Sequence, residues 1–369
     1  MRVAIVGCGQ LARMLALAGW PLGLRFSFLT DANDNTDGVR GLGEIVLHQA
    51  AMSPAELFDA LGQPDVITVE KEAVDTELLR ALKQFCPVHP DPDAIYECQN
   101  RRRQKQRLNA LEIPNTPHKF AQDAQSLAAA TLQLDMPVIV KSAEHGYDGK
   151  NQWQVSKSGD LDSVCTAQQS GDWIVEKKMA FERELSLLAV RSTQGEIRFY
   201  PPTQNLHVQG ILRSSIAPAQ QVDPAKLEQM QQHLSNLLEH WHYVGVIAME
   251  CFVVDGNLLV NELAPRVHNS GHWTQQSDAT SQFENHLRAI IGWPLGNTQP
   301  STHSAMLNLV GVAPSTATTL SDIATLHWYN KSLRPNRKLG HINLQAGNRQ
   351  QVESELERLS ANIYGDNAQ

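Results

Sequence analysis

Two runs typical of β-strands flank a turn in the second half of the chain, and each run carries one glutamate. The runs cover residues 249–254 and 258–263, and Asp-Gly-Asn at 255–257 is a typical hairpin signal. With a three-residue loop, Glu250 and Glu262 lie directly opposite each other on one face of the hairpin. Like charges at facing positions are destabilising, but a divalent cation held by both carboxylates turns the arrangement into a binding site, because Mg²⁺ prefers hard oxygen ligands. A two-residue Asp-Gly loop shifts the register by one and moves Glu262 to the other face, so both registers stay open.

Length and composition indicate a globular protein of several domains. The chain has 369 residues, of which 42% are hydrophobic and 19% charged, and this suits two or three domains. The net charge of −8 repels polyanions, so we expect neither nucleic acid nor an anionic membrane as a partner. An anionic ligand must therefore be held by local clusters of lysine and arginine.

Cysteine usage and hydropathy predict a cytoplasmic protein. The five cysteines are scattered and none forms a C-x-x-C pair, which argues against a disulfide framework or a zinc site and favours a reducing compartment. A predicted strand follows the first residue directly, so we expect no signal peptide. No apolar run approaches the roughly 18 residues that a membrane-spanning helix needs.

The first hundred residues alternate predicted strands with predicted helices. Strands at Val3–Val6, Arg25–Leu29 and Val66–Val69 are separated by helical patterns, which predicts an α/β unit with a doubly wound parallel sheet. The turn Gly7-Cys8-Gly9 follows the first strand and suits a phosphate at a helix N-terminus, or serves packing alone. The complete G-x-G-x-x-G pattern is absent, so a nicotinamide-dependent oxidoreductase is disfavoured.

The rest of the chain predicts α+β structure. A basic helix at Gln99–Leu111 precedes strands at Pro137–Lys141, Trp153–Val155 and Asp172–Lys177, which together indicate a small antiparallel module. Longer strands follow from Glu184 onward. One or two cations of the basic helix could face inward toward a phosphate while the others face water.

Several motifs have a functional and a purely structural interpretation. Lys141 ends a strand and is either solvated or directed at a phosphate, and the loop that follows is either a lid over a polyphosphate or a plain hairpin. Glu176 and Glu184 either bind a nucleoside or belong to a surface strand and turn. The basic segment 328–341 is either a phosphomonoester site or a solvated face.

The segment 261–273 concentrates more polar donors than a structural loop usually does. It reads Asn-Glu-Leu-Ala-Pro-Arg-Val-His-Asn-Ser-Gly-His-Trp. Arg266 could hold a small oxyanion through two hydrogen bonds, and His268 could donate to that anion or transfer a proton. The alternative is a loop that is simply well hydrogen-bonded.

In this order the motifs resemble the ATP-grasp superfamily and, within it, the family of 5-(carboxyamino)imidazole ribonucleotide synthetase, an ATP-dependent carbon–nitrogen ligase of purine biosynthesis. The resemblance spans almost the whole chain. It rests on His-Gly-Tyr-Asp-Gly at 145–149, Tyr-Val-Gly-Val at 243–246, Met-Glu-Cys-Phe at 249–252, the segment 261–273, and His-Trp-Tyr at 327–329.

The resemblance implies a three-domain ATP-grasp architecture, with domains at 1–98, 99–180 and 181–369 and ATP between the second and third. It implies a homodimer formed through the N-terminal region. It also implies Mg²⁺ ligands at Glu250 and Glu262. The implied nucleotide-binding residues are Arg101, Lys141, Gly146, Tyr147, Asp148, Gly149, Lys150, Asn151, Gln152, Glu176, Met179, Glu184, His207, Asn261 and Glu262.

The implied reaction carboxylates the amine of 5-aminoimidazole ribonucleotide with bicarbonate through carboxyphosphate. Arg266 and His268 would hold bicarbonate or carboxyphosphate, and Tyr147 and Asp148 would approach the aminoimidazole. The phosphate of the ribonucleotide would be held by Lys331, Arg334, Arg337 and Lys338. Two alternatives are another ATP-grasp ligase that joins an activated carboxylate to a different amine, and a non-catalytic nucleotide-binding regulator.

One departure from the family pattern concerns the lid. His145 and Asn151 stand where the family usually has glycine. Asparagine tolerates positive φ better than most residues, so the lid conformation remains accessible at Asn151.

Overall fold

A computed structural model describes residues 1–144, 151–167, 171–313 and 320–365. These residues form three sheets, one parallel and two antiparallel. The predicted α/β class, with α+β structure in the later part, is confirmed. Among the described residues, every helix is too short or not apolar enough to cross a membrane.

The first sheet is parallel and has helices on both faces. Its strands run in the order β3-β2-β1-β4. Val3 and Ile5 belong to the core under α1, whereas Ala4 and Val6 belong to the core under α2 and α3, so alternate side chains of one strand are buried on opposite faces. The elements are β1 (Arg2–Val6), α1 (Gln10–Gly19), β2 (Arg25–Thr30), β3 (Glu44–Leu47), α2 (Pro54–Ala60), β4 (Val66–Val69), α3 (Thr76–Leu82) and α4 (Pro92–Cys98).

The middle of the chain forms a four-stranded antiparallel sheet in the order β5-β8-β6-β7. The helix that precedes it starts directly after Asn100, whose side chain accepts hydrogen bonds from the backbone N–H groups of Arg102 and Arg103 and so caps the first turn. The elements are α5 (Arg101–Ala110), β5 (His118–Ala121), α6 (Ala124–Gln133), β6 (Val138–Ser142), β7 (Gln152–Val155), α7 (Leu161–Ala167) and β8 (Trp173–Lys177).

The third sheet is the largest and is antiparallel. Its strands run in the order β14-β13-β9-β11-β12-β15-β17-β16, with β10 beside β9. The strands are β9 (Arg183–Arg191), β10 (Ile197–Phe199), β11 (Thr203–Val208), β12 (Ile211–Ala217), β13 (Gly245–Val254), β14 (Asn257–Ala264), β15 (His303–Val310), β16 (Ala324–Trp328) and β17 (Lys338–Ala346). The helices are α8 (Pro224–His240), α9 (Gln282–Ile290) and α10 (Arg349–Tyr364).

The first and third sheets are joined by one continuous core. Leu11 and Leu15 of α1 share this core with Phe283 and Leu287 of α9. At its centre His286 contacts Thr68 Oγ1 through Nε2 at 2.8 Å and accepts a hydrogen bond from the backbone N–H of Val246 at Nδ1. Burial lowers the pKa of His286 to about 3, so the ring is neutral. This packing fixes the carboxyl end of the parallel sheet against the third sheet.

The β13–β14 hairpin has an unexpected loop and the expected facing glutamates. Val254 faces Asn257, so the loop has two residues, and Asp255 (φ 48°) and Gly256 (φ 71°) both adopt the left-handed conformation of a type I′ turn. The expectation of a three-residue loop was therefore wrong.

The facing register is restored by a β-bulge. Cys251 faces Val260 whereas Glu250 faces Glu262, which leaves Asn261 as the extra residue of β14. Without this residue the two-residue loop would place Glu262 on the opposite face of the sheet. The glutamate pair therefore depends on the bulge at Asn261.

Candidate active site

Glu250 lies in a small polar cavity that it lines together with Glu184, His207 and Asn261. Its side chain is 13% exposed, whereas that of the facing Glu262 is 43% exposed. Burial and the negative charge of Glu262 together raise the pKa of the Glu250 carboxyl to about 7, against the opposing effect of His207. A cation between the two carboxylates would remove this penalty on ionisation.

The donor atoms available here fit Mg²⁺ better than they fit a metal ion whose ligands all come from protein side chains. The site offers two carboxylates and the amide of Asn261, and no group of three or more His, Cys, Asp or Glu side chains within the described ranges is arranged to hold a metal. Magnesium usually binds through one or two carboxylates and completes its octahedron with water and substrate phosphates. The donor set therefore fits a Mg²⁺ ion that a polyphosphate helps to bind.

His268 contacts this site as a neutral ring. Its Nε2 lies 3.4 Å from Glu250 Oε1, and its Nδ1 accepts from the backbone N–H of Ser270 and lies 2.8 Å from Ser270 Oγ. With Nδ1 accepting, the ring proton belongs on Nε2 and faces Glu250. Burial, together with the charge of Arg266, holds the pKa of His268 well below its usual range.

Arg266 joins the third sheet to the first. Its Nη2 lies 3.0 Å from Glu72 Oε1, and its Nη1 donates to the carbonyl of Val267. Burial raises the pKa of Glu72, and the charge of Arg266 opposes that shift. Glu72 follows β4, so the carboxyl edge of the parallel sheet contributes to the site, as is usual in α/β folds.

A second buried carboxylate, Glu176 on β8, is already paired with two lysines. Its Oε2 lies 2.5 Å from Lys141 Nζ, and its Oε1 lies 3.0 Å from Lys105 Nζ. Burial by itself raises the pKa of Glu176, but the charges of Lys105 and Lys141 override it and hold the pKa far below the usual range. Lys141 Nζ also lies 3.4 Å from Asn261 Oδ1, so this network reaches the bulge.

The remaining expected nucleotide residues surround these two networks. Glu184 Oε2 contacts His207 Nδ1. Burial by itself lowers the pKa of His207, but the hydrogen bond that His207 donates to Glu184 and the charges of Glu250 and Glu184 leave the pKa raised overall. Arg101 donates to the carbonyl of Ser142 and lies 3.9 Å from Glu262. Met179 is partly buried between β8 and β9.

Most of the expected lid lies outside the described residues. This applies to Gly146, Tyr147, Asp148, Gly149 and Lys150, as well as to His145. Asn151 has φ 53°, the left-handed conformation that asparagine tolerates. Gln152 begins β7 directly opposite Lys141.

Two lysines of the basic segment act on different groups of the site. Lys331 Nζ donates to Gln10 Oε1 at the start of α1, whereas the charge of Lys338 acts on Glu250 and His268. Arg337 donates to Ser332 Oγ at 2.7 Å within the segment, and Arg334 is exposed.

The turn next to Lys331 encloses a third buried carboxylate, Glu70. The backbone N–H of Gly9 donates to Glu70 Oε1 at 3.1 Å, and a Cβ at Gly9 would come within 2.8 Å of Glu70 Oε2. A side chain at this position would therefore force the Glu70 carboxylate to move. Burial raises the pKa of Glu70, and the Gly9 hydrogen bond and the charge of Lys331 oppose that shift.

Family models match the chain in three segments. A ribonucleotide synthetase preATP-grasp domain matches residues 1–99, an ATP-grasp domain matches 106–283, and a phosphoribosylaminoimidazole carboxylase C-terminal domain matches 304–355.

Full-length relatives agree with these matches. N5-carboxyaminoimidazole ribonucleotide synthase of Pseudomonas aeruginosa is 38% identical over 365 residues, covering 98% of this chain and 99% of that protein. The chain belongs to the N5-carboxyaminoimidazole ribonucleotide synthase family. The resemblance drawn from the motifs is thus confirmed.

Solved structures of the same family have the same fold. The synthetase from Thermus thermophilus superposes with a TM-score of 0.90 at 38% identity, over 98% of both chains. The synthase from Aspergillus clavatus, solved with ADP and 5-aminoimidazole ribonucleotide, superposes with a TM-score of 0.86 at 27% identity, also over 98% of both chains. The three-domain ATP-grasp architecture is confirmed.

Four residues that contact the site were not predicted individually from the sequence: Glu70, Glu72, Gln104 and Lys105. Glu70 and Glu72 follow β4, and the rule that ligands bind at the carboxyl ends of parallel strands could have indicated them. Lys105 was anticipated only as an unspecified inward-facing cation of the basic helix. Gln104, its neighbour, carries no local signal of a function.

Proposed function

We propose that this chain carboxylates the amine of 5-aminoimidazole ribonucleotide, using ATP and bicarbonate, to give 5-(carboxyamino)imidazole ribonucleotide, ADP and phosphate. A bicarbonate oxygen attacks the γ-phosphorus of ATP, and the bond to the β-phosphate oxygen breaks to release ADP. The amine then takes the carboxyl group of carboxyphosphate, directly or as CO₂ held in the site, and phosphate leaves. The facing pair Glu250–Glu262, in a chain that matches this family over its full length, carries the proposal.

The nucleotide occupies the space between β8, β9 and the hairpin. Lys141 and Arg101 contact its phosphates and Glu184 its ribose, with His207 beside it. Adenine lies against the segment from Glu176 to Met179, and residues 146–152 close over the phosphates. Glu250 and Glu262, with the amide of Asn261 close by, would hold Mg²⁺, which when bound would neutralise charge on the transferred phosphoryl group.

The acceptor occupies the space between the first and third sheets. Arg266 and His268 hold bicarbonate and then carboxyphosphate, and Tyr147 and Asp148 approach the aminoimidazole. Lys331, Arg334, Arg337 and Lys338 receive the ribonucleotide phosphate. The contact of Lys331 with Gln10, at the N-terminus of α1, places a cation beside backbone N–H groups that suit a phosphate.

The organisation of the chain follows from the same assignment. We propose domains at 1–98, 99–180 and 181–369, because the second sheet ends at Lys177 and the third begins at Arg183. We further propose a homodimer formed through the first domain. The five cysteines are free thiols, which suits a cytoplasmic protein.

The test is an ADP-release assay with a substrate panel. Turnover should require both 5-aminoimidazole ribonucleotide and bicarbonate, and other amines or formate should not replace them. Equal ADP release without the ribonucleotide would overturn the assignment.

Glu262→Ala tests the metal pair in the same assay. We expect it to lower turnover by ~100-fold or more, because charge stabilisation by a metal contributes several kcal/mol to such transition states. Glu228→Ala, on the exposed face of α8, is the control and should behave like the wild type. Full turnover in Glu262→Ala would remove the metal from the proposal.

A further inference from the structure

The bulge that aligns the two glutamates lies in a strand at the end of its sheet. Strand β14 pairs with β13 on one side only. On its outer side, Val260 donates to the carbonyl of Pro114 and accepts from the N–H of Thr116. An extra residue in such a strand is not fixed by a second neighbouring strand, so other groups must hold it.

Two adjacent side chains of α5 contact β14 on either side of Glu262. Gln104 Oε1 accepts from the backbone N–H of Leu263 at 3.0 Å, and its Nε2 donates to the carbonyl of the same residue at 3.1 Å. Lys105 Nζ donates to the carbonyls of Asn261 at 2.9 Å and Val260 at 3.3 Å. Both side chains are almost fully buried, with 3% and 2% of the residue exposed.

These contacts satisfy the backbone groups that the bulge exposes. The amide of Gln104 replaces a neighbouring strand at Leu263, and the ammonium of Lys105 donates to the consecutive carbonyls of Val260 and Asn261 at the bulge. Glu262 is thereby held between two fixed backbone positions, at Asn261 and at Leu263. A shift of one residue would break all four hydrogen bonds to β14 and move Glu262 away from Glu250.

We propose that Gln104 and Lys105 form a clamp on β14 that holds the Asn261 bulge and positions Glu262 as a metal ligand. The proposal rests on the proposed function, since it takes Glu250 and Glu262 to be the Mg²⁺ ligands. Gln104 and Lys105 are positioning residues, because they act on the metal through the backbone of β14.

The charge of Lys105 links the clamp to the phosphate-binding side of the site. The same ammonium lies 2.7 Å from Thr116 Oγ1 and 3.0 Å from Glu176 Oε1, and Glu176 in turn holds Lys141. Burial lowers the pKa of Lys105, whereas the charge of Glu176 opposes that shift. One helix therefore fixes both the metal ligand and the lysine proposed to contact the nucleotide phosphates.

The test measures metal affinity directly. Mn²⁺, which suits the same carboxylate and water ligands, is titrated into the protein with ADP, and the free ion is followed by electron paramagnetic resonance. Gln104→Met and Lys105→Met should bind Mn²⁺ about 10–100-fold more weakly than the wild type, as is typical when groups that orient metal ligands are removed.

Asn285→Leu is a matched control for buried amide hydrogen bonds. Its Oδ1 accepts from the N–H of Gly296 at 2.7 Å, and its Nδ2 contacts the carbonyl of the same residue, as Gln104 contacts Leu263. It should lower the melting temperature and leave Mn²⁺ affinity within about twofold of the wild type, because distant sites act independently.

The outcomes separate the clamp from the proposed function. If Glu262→Ala binds Mn²⁺ like the wild type, the metal pair itself is wrong. If Glu262→Ala loses Mn²⁺ but Gln104→Met keeps wild-type affinity and only melts lower, the clamp is wrong and the proposed function stands. Lys105→Met removes a buried charge, whereas Gln104→Met removes only neutral hydrogen bonds. If Lys105→Met does not fold, the Mn²⁺ affinity of Gln104→Met alone tests the clamp.

Discussion

Glu176 on β8 and Glu250 on β13 are both buried carboxylates of one site, and their pKa values shift in opposite directions. Two lysines hold the pKa of Glu176 far below its usual range against the effect of burial. Burial and a second carboxylate raise the pKa of Glu250 to about 7. The difference lies in the partner, because burial disfavours the charged form of both groups.

The carboxylate of Glu176 is already paired with cations, whereas Glu250 and Glu262 face each other as two carboxylates. Glu176 stabilises the position of Lys105 and Lys141 before any ligand binds. Glu250 and Glu262 instead repel each other, and a divalent ion bound to both carboxylates would relieve this repulsion. The first network is therefore expected to contribute to stability, and the second to oppose it when no metal is bound.

The largest expected effect is on stability. Glu176→Gln should lower the free energy of unfolding by roughly 3–5 kcal/mol, because it leaves two lysine charges in the interior with only neutral partners. Glu250→Gln should raise the free energy of unfolding of the metal-free protein at pH 8 by roughly 1–3 kcal/mol, because it removes a carboxylate charge that burial and Glu262 disfavour. Chemical denaturation of both variants measures the contrast, and a decrease of equal size in the two would break the comparison.

The next effect is on the pH dependence of metal binding. Because Glu250 must lose a proton to bind a cation, the apparent affinity for Mn²⁺ should fall by up to about tenfold per pH unit below pH 7. The groups that act on this titration are Glu262, His207, Glu184 and Lys338. The range of about pH 5.5 to 8 is chosen from the reference pKa values of carboxyl and imidazole groups, about 4–7. Titrations of Mn²⁺ over this range measure the slope, and a flat profile would contradict the prediction.

The same titration should appear in the stability of the metal-free protein. The folded pKa of Glu250 lies above its ordinary value of 4.5. Its contribution to the free energy of unfolding is therefore fully present below that pH and is lost as pH rises through about 7. Glu70 and Glu72 also have raised pKa values. The difference between the wild type and Glu250→Gln isolates the contribution of Glu250.

The smallest expected effect concerns Lys331, a cation beside the third buried carboxylate, Glu70. Lys331 and the other nearby cations offset only part of the rise that burial causes in the pKa of Glu70. Lys331→Met should raise the KM for 5-aminoimidazole ribonucleotide by about tenfold, the value of one hydrogen bond to a charged group, and leave the KM for ATP unchanged. Steady-state kinetics measure both constants. Lys83→Met, a surface lysine paired with Asp91, is the control; an equal rise in both KM values would place Lys331 at the nucleotide instead.

The sequence predicted the fold class because that class depends on local patterns, and it predicted the facing glutamates only through an incorrect loop length. Alternating strands and helices require a parallel sheet in the first hundred residues, and the segment 261–273 concentrates donors in a pattern specific to the family. The loop length was wrong because Asp255-Gly256-Asn257 is compatible with two turns. The bulge that corrects the register carries no local signal, since it is held by side chains of a helix about 160 residues earlier.

Other residues of the site could not be predicted from the sequence, because their burial also depends on contacts with distant elements. The basic helix 99–111 showed its cations, but their spacing did not tell which one is buried. Lys105 is buried because it alone reaches Thr116, the bulge carbonyls and Glu176 together. Glu70 and Glu72 likewise join the site through the packing of the first sheet against the third.

The sequence by itself determined which strands and helices form, which motifs follow them and which family the chain belongs to, because these depend on residues close together along the chain. Only the tertiary structure decided that Glu176 is paired with two lysines and that a bulge at Asn261 brings Glu262 opposite Glu250. The physical reason is that the charge of a buried group is set by partners within a few ångströms, and those partners come from elements far apart in the sequence.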